Sequence, residues 1–249
     1  MRITKLDDYQ SWYLEAGGAR VLVDPWLTED LRFPLGMFHR THELRGHDTI
    51  KPTHLVITAP FGDHLHPPTL ALLDKTIPVL TNGAAAKRMR ALGFHDVTTQ
   101  RAGDVRDLAA GVSLRFVAPA FPYAHNSLGF LLEETNAGHT TRAYLETHVV
   151  SPKAMEALPK PIDAVLTTAE NVRLFGIQLA MDTRRAAHVA KTLAAKHFVP
   201  TGVNPGKSRG VLPALLFVRS DREAFTSALA AIGAQTPVQW LAPGEALEL

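Results

Sequence analysis

The sequence predicts an α+β fold of two packed β-sheets flanked by helices, and three observations carry that prediction. Short runs rich in β-branched and aromatic residues dominate the start of each half of the chain, and alanine-rich helical stretches follow them. No stretch rich in Gly, Ser or Pro divides the halves, so residues 1-249 read as a single domain with two pseudo-related halves. Each amphipathic element has to bury one face against a neighbouring layer, and two sheets placed back to back then leave their outer faces for helices.

The elements follow in order. "SWYLEAGGARVLVDPWL" reads as a hairpin turning at Gly17-Gly18 and ending at Asp24-Pro25. "HLVIT" is a buried strand, "PPTLALLDK" a helix opened by prolines, "IPVLT" a short strand and "GAAAKRMRALGF" a helix stopped near Gly93. Four strand candidates come next: "HDVTTQ", "SLRFVAPA", "LGFLLEE" and "TRAYLETH", the last two parted by the turn-like "TNAGHT". The rhythm then repeats with the strand "IDAVLTTA", the helix "DTRRAAHVAKTLAAK", the strand "HFVPTG", the helix "REAFTSALAAIG" and a final strand "PVQWLAP".

Composition narrows the function classes. Hydrophobic residues make up 46% and charged residues 20%, ordinary globular values that exclude disordered and fibrous classes. No apolar run is long enough to span a membrane, and "MRITKLDDYQSW" lacks the apolar segment of a signal peptide, so a cytoplasmic protein without membrane contact is expected. The absence of cysteine removes disulfides, thiolate catalysis and zinc-thiolate sites together. Any metal must be held by His and carboxylates. The net charge of +2 is small, and basic residues are interleaved with acidic ones, which points away from nucleic acid.

The most informative stretch is "ITAPFGDHLHPP", Ile57 to Pro68, where Asp63, His64 and His66 sit in a loop between a strand and a helix. On the residues alone, such a group is either a metal-binding loop or a turn in which Asp accepts backbone N–H groups while His lies at the surface.

A resemblance adds to this reading. "VLVDPWL", "LVITAPFGDHLHPPTLALL", "LGFLLEE", "AYLETH" and "HFVPTG", in that order and at those intervals, resemble the metallo-β-lactamase superfamily over nearly the whole chain, and within it the ascorbate-6-phosphate-lactonase-like branch. The resemblance implies a four-layer αββα sandwich holding one or two metal ions, typically zinc or manganese, at the strand ends between the sheets. The superfamily's Thr-His-x-His-x-Asp-His signature falls on Thr58, Ala59, Pro60, Phe61, Gly62, Asp63 and His64. Both histidines of the first metal position are missing, and neither alanine nor phenylalanine has a lone pair to offer. Asp63 and His64 remain at the second position, with His66 as an extra imidazole.

Glu146-Thr147-His148 resembles the Glu-Pro-His found at a later strand end in some members of that branch, and period-2 alternation would turn Glu146 and His148 to one face. The last metal histidine of the superfamily falls on Thr201 or Gly202, so it too is missing. The resemblance thus implies either one divalent ion, zinc or manganese, held by Asp63, His64 and His148 with His66 and His125 as further candidates, or no ion at all. Asp63 or Glu146 would take a proton in catalysis. Glu146 and His148 can equally be a hydrogen-bonded polar pair, and His125 a solvent-facing loop residue.

Asp24 matches a position that supports the metal loop, or is a strand-end turn with Pro25, and Trp26 packs the core. His39, His42, His47, His54, His95, His139, His188 and His197 read as surface or structural residues. "NPGKSRG" is not a phosphate-binding loop, because its glycine–lysine spacing is wrong, yet Lys207 and Arg209 would stand at the rim of the cleft and meet an anionic group on a small-molecule ligand. The loop from Leu27 to Pro52, with Phe33, Met37 and Phe38, reads as a lid over the cleft, as a contact with a second copy in a homo-oligomer, or as a plain surface loop.

Two functions are therefore expected. One is single-metal hydrolysis of an ester, lactone or phosphoester. The other is a non-catalytic ligand-binding or structural member of the fold that has lost its metal site.

Overall fold

The structure, a computed structural model, describes residues 1–45, 49–202, 207–219 and 221–249. His47, and Asn204, Pro205 and Gly206 of "NPGKSRG", lie outside the described residues. Two large sheets dominate. The first runs Ala246–Glu248, Arg2–Lys5, Trp12–Ala16, Ala19–Val23, His54–Ile57, Val79–Thr81 and Val97–Thr99 from edge to edge. The second runs His197–Pro200, Ala164–Thr167, His139–Glu146, Gly129–Asn136, Val112–Val117 and Val105–Ala109. Both are mixed, with antiparallel hairpins at one side and parallel neighbours at the other.

Alternation along the strands accounts for the layers. Leu14, Val21, Val23 and Val56 of the first sheet meet Leu114, Phe116, Phe130 and Leu145 of the second in one inter-sheet core. The intervening residues Tyr13, Leu22, Leu55 and Ile57 turn outward to a second core beneath the helices Pro67–Leu72 and Gly83–Ala91. In the other sheet, Leu131, Tyr144, Val165 and Phe198 turn to a third core shared with Thr183–Thr192 and Arg222–Ala231. Each fully buried Leu, Ile or Phe in these cores contributes roughly 1.5–3 kcal/mol over an exposed one. The result is the expected helix–sheet–sheet–helix order. Four of the described helices begin on side-chain caps: Asn82, Ser151, Asp182 and Asp221 each accept the backbone N–H three residues on.

Some elements differ from expectation. Of the four consecutive strand candidates, "HDVTTQ" lies in the first sheet, where Val97–Thr99 pairs in parallel with Val79–Thr81, and the other three lie in the second. "PVQWLAP" makes only an isolated bridge between Val238 and Phe198, and the last strand is Ala246–Glu248, which closes the edge beside Arg2–Lys5. Two small sheets are new. Leu31–Phe33, Phe38–Arg40 and Ser208–Arg209 form one, and Asn171–Leu174, Ile177–Ala180 and Leu216–Arg219 form the other. Both stand over the carboxyl ends of the parallel strands, where ligand sites of open sheets gather.

Candidate functional site

The site begins at the end of the strand His54–Ile57. Its parallel neighbours set the exit at the floor of a cleft of about 1370 Å³, walled by Phe33 and Phe38 on one side and Val172, Leu174 and Leu216 on the other. The chain from Phe61 to Leu65 turns tightly, the carbonyl of Phe61 accepting from both His64 N (3.1 Å) and Leu65 N (2.8 Å). That turn presents Asp63 to the cleft and sends His64 inward. The loop is joined to the second sheet where Leu128 N donates to Thr58 O at 2.9 Å.

Asp24 holds the turn from behind. It follows the strand Ala19–Val23 with φ of 44°, a left-handed conformation that Asp tolerates better than most residues. Its carboxylate is fully buried and accepts from Thr58 N (2.7 Å), Thr58 Oγ1 (2.5 Å) and His64 Nδ1 (2.8 Å). Because a carboxylate only accepts, His64 carries its proton on Nδ1 and leaves Nε2 to face Asp63, 3.8 Å away. Burial pushes the His64 pKa down, but the carboxylates of Asp63, Asp24 and Glu146 outweigh it and the net shift is upward. Asp63 in turn accepts from Tyr9 OH at 3.2 Å, while the side-chain amide of Gln10 binds the Asp63 carbonyl at 2.9 Å.

His148 comes from the other sheet and lies against His64, ring centroids 4.7 Å apart and planes 23° apart. Its Nδ1 is within hydrogen-bond distance of Ser127 Oγ (3.1 Å) and Thr147 Oγ1 (3.3 Å). Burial, and then the neighbouring His64, hold its pKa well below the usual imidazole range. Tyr123 covers its other side at 3.8 Å, and Phe61 meets His64, His148 and Tyr123 edge-on at 6.1, 6.0 and 6.0 Å. The floor is thus a cluster of four rings.

Glu146 does not share the cleft-facing position of His148. The strand ends at Glu146, whose side chain folds back so that Oε1 accepts from His148 N at 3.1 Å. The carboxyl is completely buried against Gly129, where an added Cβ would lie 2.5 Å from Oε2. Burial pushes its pKa up to about 8, against the lowering effects of the His148 N–H and His64. Glu146 therefore underlies the ring cluster and has no surface in the cleft.

The remaining candidates are dispersed. His66 lines the cleft but is turned to Thr69, with Nδ1 at 2.9 Å from its hydroxyl and the ring 6.0 Å from Trp26; burial and the nearby His42 lower its pKa to about 4. His125 is exposed on the turn beside Tyr123, and it is Tyr123, two residues earlier, that lines the cleft. Lys207 is bound by Asp8 (2.9 Å) and Glu43 (2.7 Å) instead of reaching into the cleft, and Arg209 pairs with His39 in a small sheet. Among the described residues Arg88, donating to Pro60 O, and Arg32 are the arginines that border the cleft, alongside Glu29 and Asp30.

The donor set does not fit a metal ion. Among the described residues no three His, Asp or Glu side chains converge to hold one. Ala59 and Phe61 supply no donors; of Thr201 and Gly202, Gly202 has no side-chain donor and the hydroxyl of Thr201 accepts from Trp12 Nε1 at 2.9 Å. The structure gathers Asp63, His64 and His148 at one end of the cleft but ties His64 and His148 to Asp24, Ser127 and Thr147 through Nδ1 and stacks their rings. Tyr9, Gln10, Ser127 and Tyr123 escaped the sequence reading, since each meets its partner across 21 or more residues of chain and no local pattern marks them. Asp24 was legible through its resemblance to a supporting position.

Comparison with known proteins places the fold. No protein-family model matches the sequence, and no protein of curated function matches it. Solved structures do. An isothiocyanate hydrolase from Delia radicum gut bacteria superposes with a TM-score of 0.75 at 15% identity, covering 100% of this chain and 99% of its own. A possible metal-dependent hydrolase from Veillonella parvula gives 0.75 at 15% identity, with 99% of both chains covered. The metallo-β-lactamase fold protein YhfI from Bacillus subtilis gives 0.63 at 11% identity, again with 99% of both covered.

Proposed function

We propose, with the metallo-β-lactamase fold as premise, that this chain is a ligand-binding member of the fold whose floor works without a metal ion. The observation that carries the reading is the ring cluster. Phe61, His64, Tyr123 and His148 pack together at the end of the cleft where the signature histidines are replaced, and the hydrogen-bonding partners of both imidazoles come from the chain itself. The walls are apolar and the floor offers His64, Asp63 and Thr147, which suits a small, largely apolar molecule carrying one polar or anionic group. At the border Arg32 lies 3.7 Å from Asp30, which leaves Arg88 as the arginine that favours the anionic form.

A hydrolytic reading has one observation of its own: buried Asp24 orients His64 so that Nε2 stands beside Asp63 in the cleft. In that reading His64 is the imidazolium that its raised pKa favours: Asp63 takes the proton of a water attacking an ester or lactone carbonyl, the Nε2–H of His64 protonates the departing oxygen, and the Nδ1–H stays on Asp24. One experiment separates the readings. Protein purified without a metal-affinity column is analysed for bound metal, then assayed with chromogenic esters, lactones and phosphoesters, with chelator and with added zinc or manganese. The binding reading expects well under one equivalent of metal and background turnover throughout. Turnover insensitive to chelator and abolished by His64→Gln would replace it with the hydrolytic reading. One retained equivalent with metal-dependent turnover would overturn both.

A further inference from the structure

The cleft is bordered by two hairpins whose tips break the ordinary preferences for turn residues. In the hairpin Leu31 to Arg40 the turn places Leu35 at φ 57° and Gly36 at φ 67°; in the hairpin Asn171 to Ala180 it places Phe175 at φ 47° and Gly176 at φ 82°. Turns with two successive left-handed residues favour Asn-Gly or Asp-Gly, and a bulky apolar residue there is strained. Leu35 is nevertheless 97% exposed and Phe175 80% exposed, so no packing within the chain offsets that strain or the contact with water. Between the tips, Met37, Val211, Leu215 and Phe217 are also exposed, and Leu212 N donates to Met37 O at 2.9 Å, which makes the rim continuous.

The same rim is basic. The segments 31–40, 171–180 and 207–219 contain no Asp or Glu; of their basic residues Arg40 is buried, Lys207 is held by Asp8 and Glu43, and Arg173 lies 3.7 Å from Asp182, which leaves Arg32, Arg209 and Arg219 to face outward. Arg32, Arg209 and Arg219 are exposed, Arg32 lying 3.7 Å from Asp30 just outside the first segment. Exposed apolar side chains set among arginines suit a surface with an apolar interior beneath anionic headgroups. A second copy of this chain suits the rim less well, because a two-fold contact would set the same arginines against each other.

We propose that the mouth of the cleft docks on an anionic lipid surface, with Leu35 and Phe175 entering the boundary between headgroups and acyl chains and the rim arginines meeting the headgroups. The apolar walls at Phe33, Phe38 and Leu174 then continue from the bilayer toward the floor, so that an amphiphile can enter without crossing water.

Flotation with equimolar phosphatidylglycerol and phosphatidylcholine vesicles, against phosphatidylcholine alone, tests this. The full chain should float with the anionic vesicles at low salt and be released as salt rises. The double variant Leu35→Asn, Phe175→Asn should partition roughly tenfold less. Its melting temperature should hold or rise, because Asn accepts the left-handed conformation. Arg209→Gln with Arg219→Gln should weaken binding to anionic vesicles only. Failure of the unaltered chain to float, or undiminished floating of the Asn variant, overturns the proposal. So does a dimer in sedimentation velocity that the Asn variant dissolves, since the face then belongs to a second copy.

Discussion

Asp24 Oδ2 lies 2.8 Å from Nδ1 of His64, forty residues away in sequence, and both side chains are buried. The same carboxylate accepts the backbone and hydroxyl hydrogens of Thr58, so one residue fixes the strand end, the loop start and the ring cluster together.

Asp24→Ala should therefore cost about 3–5 kcal/mol, the usual loss when one partner of a buried charged pair is removed. Asp24→Asn should cost less, because its amide oxygen still accepts from Thr58 N and Asn tolerates the φ of 44°. Urea unfolding of both variants measures the difference. A loss under about 1 kcal/mol for the alanine variant would mean that the pair behaves like a solvent-screened one.

Restoring the signature with Ala59→His and Phe61→His should lower the melting temperature in the absence of metal. Ala59 is fully buried, so a larger ring there overpacks by about 1–3 kcal/mol. Phe61 gives up its contacts with three rings. Zinc should recover part of the loss by binding only the folded state. Melts with and without zinc decide this, and no zinc-dependent rise would mean that positions 59 and 61 do not converge with His64.

Gly129 is expected to tolerate no side chain. A Cβ there meets Glu146 Oε2 at 2.5 Å and the Leu145 carbonyl at 3.0 Å, so Gly129→Ala should destabilise by about 1–3 kcal/mol. Combining it with Glu146→Ala frees the carboxylate side, and the double variant should lose less than the sum of the single ones. Additive losses in denaturant melts would show that backbone crowding alone sets the cost.

Stability should also carry a pH signature from Asp7. Burial raises its carboxyl pKa from 3.8 to about 6, against hydrogen bonds from the backbone of Ser11, the Ser11 hydroxyl and the backbone of Tyr9. The folded state thus holds the Asp7 proton more tightly than the unfolded chain, and this contribution is complete below about pH 4 and lost as pH rises through about 6. A shift of about two units amounts to roughly 3 kcal/mol. Asp7→Asn should remove the decline, since its amide can donate to Ser11 Oγ while that hydroxyl donates to Asp24 O. Urea midpoints of both proteins across this interval test it; parallel profiles would assign the titration elsewhere.

The layered fold was legible because alternation is a local property. Tyr13 against Leu14, Leu22 against Val21, and Leu131 against Phe130 separate into different cores on a two-residue period that can be read from the chain alone. Edges were less legible. Ala246–Glu248 and the hairpin Asn171 to Ala180 are short strands whose pairing depends on Arg2–Lys5 and Leu216–Arg219, far away in sequence. Apolar residues at the turn positions of both rim hairpins further masked them, since Leu-Gly and Phe-Gly are poor turn signals.

By itself the sequence determined which donors the floor could contain: Asp63, His64 and His148 are present, while Ala59 and Phe61 in the same loop, and Gly202 after the strand "HFVPTG", have no side-chain donor. Only the tertiary structure decided where those donors point. Glu146 and His148 were expected on one face, but the strand ends between them, and Glu146 caps its own chain end beneath the cluster. His66 turns to Thr69, and His125 stays outside. In a strand the backbone sets side-chain direction every second residue, whereas in a loop it is set by whatever the fold brings alongside. For His64 that is Asp24, and for His148 it is Ser127 and Tyr123, arriving from other parts of the chain.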